Sequence, residues 1–319
     1  MIEDGEDINR RDHVGRTPLH VAIISNSVEC ANILIDAGAR MTARLVGGRS
    51  SLHLVAQMGQ AGLVKKMLAR SAYNAEKSAE EKLKTEKAGE NPDEAERVRL
   101  SSEDDWSSEE SDDGKPSPKA PVKSDTEKES DLLEDDKETP DVLDISISDW
   151  DFGITPLGYA ILSGSLEVAD VLLTAGADPN HAARVKDASP LHPLTLTIYT
   201  QHEDRAAKIA ERLIASQAIS STADARLVTI FHRIVLAGKT KIAMSLLNCD
   251  PNAKKVLNFP AWVGNGLVFP LVSSIASGDY AMLAVLLVHG AKLVYSPEDA
   301  SRAETAKYVQ LSPGQVMLR

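Results

Sequence analysis

The sequence predicts an all-α solenoid of about six stacked helix-turn-helix repeats, interrupted by a long acidic insert. Three observations carry this. The phrase Gly15-Arg16-Thr17-Pro18-Leu19-His20-Val21-Ala22 returns about 33 residues later as Gly48-Arg49-Ser50-Ser51-Leu52-His53-Leu54-Val55-Ala56. A third copy, Gly153-Ile154-Thr155-Pro156-Leu157-Gly158-Tyr159-Ala160, stands far downstream. Short apolar runs that end in Gly-Ala follow at a fixed interval: Gly38-Ala39, Gly176-Ala177 and Gly290-Ala291. Self-similarity at this period marks units that cannot bury an apolar face alone and must stack.

Each phrase opens a helix. Thr17, Ser50 and Thr155 offer a side-chain oxygen as N-cap. Pro18 and Pro156 stand at the first helical position, where a missing N–H costs nothing. The second helix of each unit puts Ile33-Leu34-Ile35, Val171-Leu172-Leu173 or Val285-Leu286-Leu287 on an apolar face, and its glycine is placed for a left-handed C-cap.

Thr17-Pro18-Leu19-His20-Val21-Ala22 and the repeat ending Ala175-Gly176-Ala177-Asp178-Pro179-Asn180 resemble the ankyrin repeat family. The resemblance covers about two thirds of the chain and leaves out its middle and its extreme C-terminus. It implies a protein-binding stack whose turn tips and first helices form a concave partner-facing surface. Aligned on the motif leucine or its substitute, the repeats fall at Leu19, Leu52, Leu157, Leu191, Phe231 and Leu271. The step from Leu157 to Leu191 nearly equals that from Leu19 to Leu52. The steps onward to Phe231 and to Leu271 are longer, which predicts longer loops around 217–226 and 253–268. From the fourth unit onward the motif decays: Ser189-Pro190-Leu191-His192 lacks the threonine, and Thr229-Ile230-Phe231-His232 lacks the proline.

The long step from Leu52 to Leu157 contains an insert at 76–148, with 25 acidic and 11 basic residues for a net of −14. The remaining 22 acidic and 24 basic residues sum to +2, so the formal −12 of the chain belongs to the insert. High charge with little apolar area predicts disorder. Its first part, rich in Ala, Glu, Lys and Leu without Gly or Pro before Gly89, predicts that the second helix of repeat two runs on to about residue 88. The segments are then 1–75 for repeats one and two, 76–148 for the insert, 149–295 for repeats three to six, and 296–319 for a C-terminal capping helix and tail.

Composition excludes much. The two cysteines, Cys30 and Cys249, fall in different repeats and form no disulfide framework, which favours a cytoplasmic or nuclear location. No apolar run approaches membrane-spanning length, and the sparse basic tips with net negative charge argue against nucleic acid. No HExxH, paired CxxC, P-loop or nucleophile elbow is present, so neither cofactor nor metal nor catalysis is expected. His20, His53, His192 and His232 recur at motif spacing, which assigns them to ordering their own turns. The expected binding residues are those at the tips: Arg11, His13, Arg16, Arg44, Arg49, Trp150, Asp151, Phe152, His181, Arg184 and Lys186. Arginine and aromatic residues are the usual anchors of interfaces. Ser101, Ser102, Ser107, Ser108 and Ser111, each close to acidic residues, and the proline-directed Ser117 are phosphorylation candidates. The function expected is a non-catalytic adaptor for an unidentified protein partner, tuned by an insert able to dock on the arginine row. The alternative is a regulatory segment of a larger protein whose catalytic or nucleic-acid-binding part lies elsewhere.

Overall fold

The computed structural model describes residues 7–89, 140–184, 190–224, 226–263 and 266–292. The expected phosphorylation sites Ser101, Ser102, Ser107, Ser108, Ser111 and Ser117, the binding candidate Lys186, most of the insert and the C-terminal capping helix lie outside these residues.

The described residues form two compact units, Met1–Leu68 with Leu143–Arg319, and Ala69–Val142. In the first, helix pairs succeed one another as α1 (Pro18–Ile24) with α2 (Val28–Asp36), α3 (Ser51–Met58) with the start of α4 (Ala61–Gly89), and α5 (Pro156–Ser163) with α6 (Leu166–Thr174). There follow α7 (Pro193–Leu196), prolonged by a 3₁₀ turn at Thr197–Tyr199, with α8 (Glu203–Ala215), then α9 (Ile230–Leu236) with α10 (Thr240–Cys249). After α11 (Pro251–Val256) and the hairpin of β1 (Ala261–Val263) and β2 (Gly266–Val268), the last pair is α12 (Pro270–Ser277) and α13 (Tyr280–Val288). First helices pack on first helices, α1 on α3, α3 on α5, α5 on α7, α7 on α9 and α9 on α12. Second helices form a parallel row through α6, α8, α10 and α13. Ion pairs tie neighbouring second helices: Lys66 of α4 to Asp36 of α2 at 2.7 Å, Arg212 to Asp170, and Lys241 to Asp204 at 2.6 Å.

The caps form as the motif requires. Thr17 Oγ1 accepts the His20 N–H at 3.4 Å and Thr155 Oγ1 accepts the Gly158 N–H at 3.3 Å. The closing glycines Gly38, Gly176 and Gly290 all take positive φ.

One slot organises the core. Leu19, Leu52, Leu157, Leu194, Phe231 and Leu271 are each at most 2% exposed and occupy the same position of successive first helices. The fourth member corrects the expected register. Leu191 is half-buried in a bridge with Ala183, and the helix starts later in the chain, with His192 as N-cap and Pro193 first. The string Ser-Pro-Leu-His imitates the motif, but the rigid φ of Pro193 sets the start. With Leu194 in the slot, Leu157, Leu194 and Phe231 are evenly spaced, and the longest step downstream of the insert is the one to Leu271. The surplus within 253–268 is not plain loop, since it builds α11 and the β-hairpin. The insert also ends earlier than 148: Leu143 and Ile145 pack against the core of the first unit.

The first repeat leaves an open groove of about 560 Å³, lined in part by Pro18, Val21, Ala22 and Leu34. The matching slots of the next repeats, Leu54 and Met67, then Tyr159 and Leu172, are buried. The second unit carries the continuation of α4, where the Arg70 guanidinium lies 5.3 Å from the Tyr73 ring centroid and Asn74 donates to the Asp141 carbonyl at 2.9 Å.

Candidate interaction surface

Between repeats the chain projects as short fingers, closed by single bridges at Arg44–Ser50, Ala183–Leu191 and Ala223–Thr229. An aspartate folds three of the tips. Asp12 Oδ1 accepts the N–H groups of Val14 and Arg16, Asp149 Oδ1 those of Phe152 and Ile154, and Asp224 Oδ1 those of Arg226 and Val228. The second carboxylate oxygen takes a different partner each time: Arg16 Nε at 2.8 Å, the Tyr159 hydroxyl at 2.6 Å, and Arg233 Nη2 at 3.0 Å. The backbone N–H of Arg16 holds the Asp12 carboxyl down to about 2. Burial, then the bond to Asp149, pushes the Tyr159 phenol above its ordinary value.

The motif histidines do more than order their own turns. Nδ1 of His20 accepts the Thr17 N–H at 3.1 Å, and Nε2 donates to the Ala43 carbonyl of the next repeat at 3.2 Å. His232 does the same with Thr229 at 3.2 Å and the Val268 carbonyl at 3.1 Å. His53 accepts from Ser50 at 3.1 Å and meets Tyr159 edge-on, ring centroids 5.7 Å apart, while its Nε2 is buried without a hydrogen bond. Burial lowers all three imidazoles to about 4, so they are neutral at neutral pH, and His20 and His232 serve as cross-repeat struts. His192 departs from this set and donates from Nδ1 to the Asn180 carbonyl at 3.2 Å.

Several expected binding residues prove to be scaffold. Arg11 Nη1 donates to the Gly15 carbonyl at 2.9 Å and to the Arg44 carbonyl at 2.6 Å. Arg44 Nη1 repeats this one finger on, to Gly48 at 3.1 Å and Ser148 at 3.2 Å. The Ser148 hydroxyl then meets His181 Nε2 at 2.9 Å. Arg11, Arg44 and His181 are thus rungs of one ladder joining four fingers, and Arg16 is held by Asp12. A guanidinium reaches two carbonyls at once, so these arginines solve a backbone problem before any partner arrives.

The rest of the expected set faces outward. His13, Asp151 and Arg184 are exposed, and Arg49 is half-buried. Trp150 is 69% exposed and Phe152 50%. The indole lies against the backbone of Gly48, with the Arg44 guanidinium 5.4 Å from its centroid, and the backbone N–H of Trp150 donates to the Gly47 carbonyl at 2.8 Å. Gly48 has φ +80°, and any Cβ there would collide with the indole. Val14 and Val46 extend the apolar tips at 49% and 83% exposure.

A second row lies on the first helices. Ile24, Leu162, Tyr199, Leu236 and Ala276 occupy one slot five positions past the motif leucine, with Gln57 as the polar member. The signal was present in the sequence, since the motif requires nothing apolar at this position.

The described residues contain no group of three or more His, Cys, Asp or Glu side chains able to hold a metal ion. Among them no helix is long and apolar enough to cross a membrane.

Comparison with known proteins decides the family. A model described as "Ankyrin repeats (3 copies)" matches residues 1–80, and a single ankyrin repeat model matches residues 152–181. Residues 1–80 and 152–181 are ankyrin repeats. Inversin of Mus musculus is 37% identical over 73 residues, covering 23% of this chain and 7% of that protein. The ADP-ribosylation factor GTPase-activating protein AGD2 of Arabidopsis thaliana is 42% identical over 59 residues, covering 18% and 8%. The chain thus spans under a tenth of the length of either relative. The crystal structure of the ankyrin repeat domain of Bcl-3, a member of the IκB protein family, aligns over 89% of this chain and 88% of that one. Its TM-score is 0.50 at 15% identity, a likeness of fold. Ankyrin repeats are a non-enzymatic interaction fold that generally binds protein partners.

Proposed function

We propose that this chain is a non-catalytic adaptor that holds a protein partner on the face made by its fingertips and first helices. The observation that carries the reading is Trp150, a mostly exposed indole already packed between Gly48 and Arg44, on a backbone tied to Gly47. A large aromatic surface immobilised before binding gives up little entropy on contact. Phe152, Val46 and Val14 add apolar area beside it, and Arg49 and Arg184 supply charge. The reading places the chain in the cytoplasm or nucleus.

The −14 insert enters as a modulator. It is an anion tethered to the same chain as these cations, so it competes with an acidic partner, and phosphorylation of Ser101, Ser102, Ser107, Ser108, Ser111 or Ser117 strengthens that competition. Deleting residues 90–139 is expected to raise partner affinity at low salt and leave it unchanged at high salt. Equal affinity at both salts removes the insert from the reading.

A photoreactive residue at position 152 tests the surface, with one at exposed Lys208 on α8 as control. A partner crosslinked from position 152, absent from position 208 and lost with Trp150→Ala is the expected outcome. Identical products from both positions overturn it. The second reading, a regulatory segment serving a catalytic part elsewhere, draws on the much greater length of AGD2, whose printed name carries a GTPase-activating function.

A further inference from the structure

The surface slot on the first helices narrows the class of partner, and the inference rests on the interaction face proposed above. In that slot Ile24 is 43% exposed, Tyr199 59% and Leu236 73%, Leu162 is half-buried, and Ala276 is exposed. Met58 and Ile275, in neighbouring positions, add 44% and 49%. At Ile24, Tyr199, Leu236 and Ala276 the fold does not need an apolar side chain, since these positions face solvent while the motif leucine fills the core; Leu162 also packs against the core. From repeat three to repeat six the row is unbroken: Leu162, Tyr199, Leu236, Ala276. The fingers alongside carry Arg49, Arg184 and Arg226.

We infer that this row receives an amphipathic α-helix of a partner protein, with apolar side chains at every seventh position and acidic residues on the flank that faces the fingers. The argument is one of spacing. Packed helices stand about 8–10 Å apart, so equivalent slots recur at roughly that interval. An α-helix rises about 1.5 Å per residue, so one heptad advances about 10.5 Å and returns the side chain to the same face. A β-strand covers the interval in about three residues, an odd number, and its side chains would point alternately toward and away from the row. A polyproline helix also returns at every third position, but the grooves that receive it are lined by aromatic side chains. This row is aliphatic save for Tyr199. Four slots need about 22 residues of helix, roughly 33 Å. Charge sets the flank: Arg49, Arg184 and Arg226 favour carboxylates on the finger side, which also fixes the helix about its own axis.

The probe is a fluorescein-labelled designed peptide, long enough at about 25 residues of helix to span the four slots. It carries leucine at every seventh position and glutamates along one flank, and is titrated against the full chain by anisotropy. Saturable one-to-one binding is expected, weakened at least tenfold by Leu236→Glu or Tyr199→Glu. Both side chains are exposed, so an unchanged melting temperature shows that the variants remain folded. Arg184→Glu with Arg226→Glu is expected to weaken binding and flatten its salt dependence. Three results overturn the inference: no binding, equal binding of a peptide with its leucines respaced to every fifth position, or preference for a proline-rich PxxP peptide. If the peptide fails while crosslinking from position 152 persists, the helix falls and the interaction face stands. If both fail, both fall.

Discussion

Repeats one and two and repeats four to six bury the same slots with different chemistry. The early repeats are tied by polar struts: His20 to Ala43, Arg11 to Arg44, Arg44 to Ser148. In the later ones Thr195 and Val272 stand where the motif has histidine, α12 is entered through Phe269 with no side-chain cap, and only His232 keeps the strut. The leucine slot never changes character. The stack therefore tolerates loss of its polar motif residues but not of its buried apolar ones, because transfer out of water and the cavity left behind outweigh one net hydrogen bond.

The contrast is most strongly tested by acid. His20, His53 and His232 have folded values near 4, below the 6.5 of an unfolded imidazole. Between these values the unfolded chain binds more protons, so their stabilisation is complete above about pH 6.5 and is lost as pH falls toward 4. Each contributes up to about 1.4 kcal/mol per pH unit. Urea unfolding at pH 7.5, 5.5 and 4.5 should show this loss, and His20→Gln should flatten the slope. A pH-independent midpoint refutes the struts.

Next in size is the register of repeat four. Leu194→Ala should cost about 2–5 kcal/mol, as expected for a fully buried leucine. Leu191→Ala should cost at most about 1 kcal/mol. Comparable losses from the two would restore the motif-based alignment. Smaller again is Gly48→Ala, where positive φ alone costs about 1–2 kcal/mol. It should also displace Trp150 and shift its fluorescence, an effect confined to the second and third fingers. The smallest is Lys241→Ala on the outer row, which should leave the melting temperature unchanged, because an exposed ion pair is screened by solvent.

Much of the fold was legible in the sequence. Thr17, Pro18 and Gly38 act locally, through a cap, a fixed φ and a positive φ, and a local role leaves a local trace. The run of α4 to Gly89 followed from composition in the same way. Repeat four was misread because Ser189-Pro190-Leu191-His192 carries the local signal just ahead of the helix that tertiary packing selects. The site was less legible. Arg11 and Arg44 look like free interface cations, yet their partners are carbonyls, which leave no mark in a sequence. The slot of Leu236 was open to inspection all along, but its meaning depends on which side of α9 faces solvent.

The sequence by itself determined that this chain stacks, where most helices begin and end, and that its negative charge is concentrated in one insert. These follow from period, caps and composition, which are properties of neighbouring residues. Only the tertiary structure decided which arginines are scaffold and which are surface, which leucine fills the fourth slot, and that Trp150 rests on a glycine of another finger. Those outcomes depend on groups from separate repeats meeting in space, where burial and the demand of every backbone carbonyl for a donor settle what each side chain is free to do.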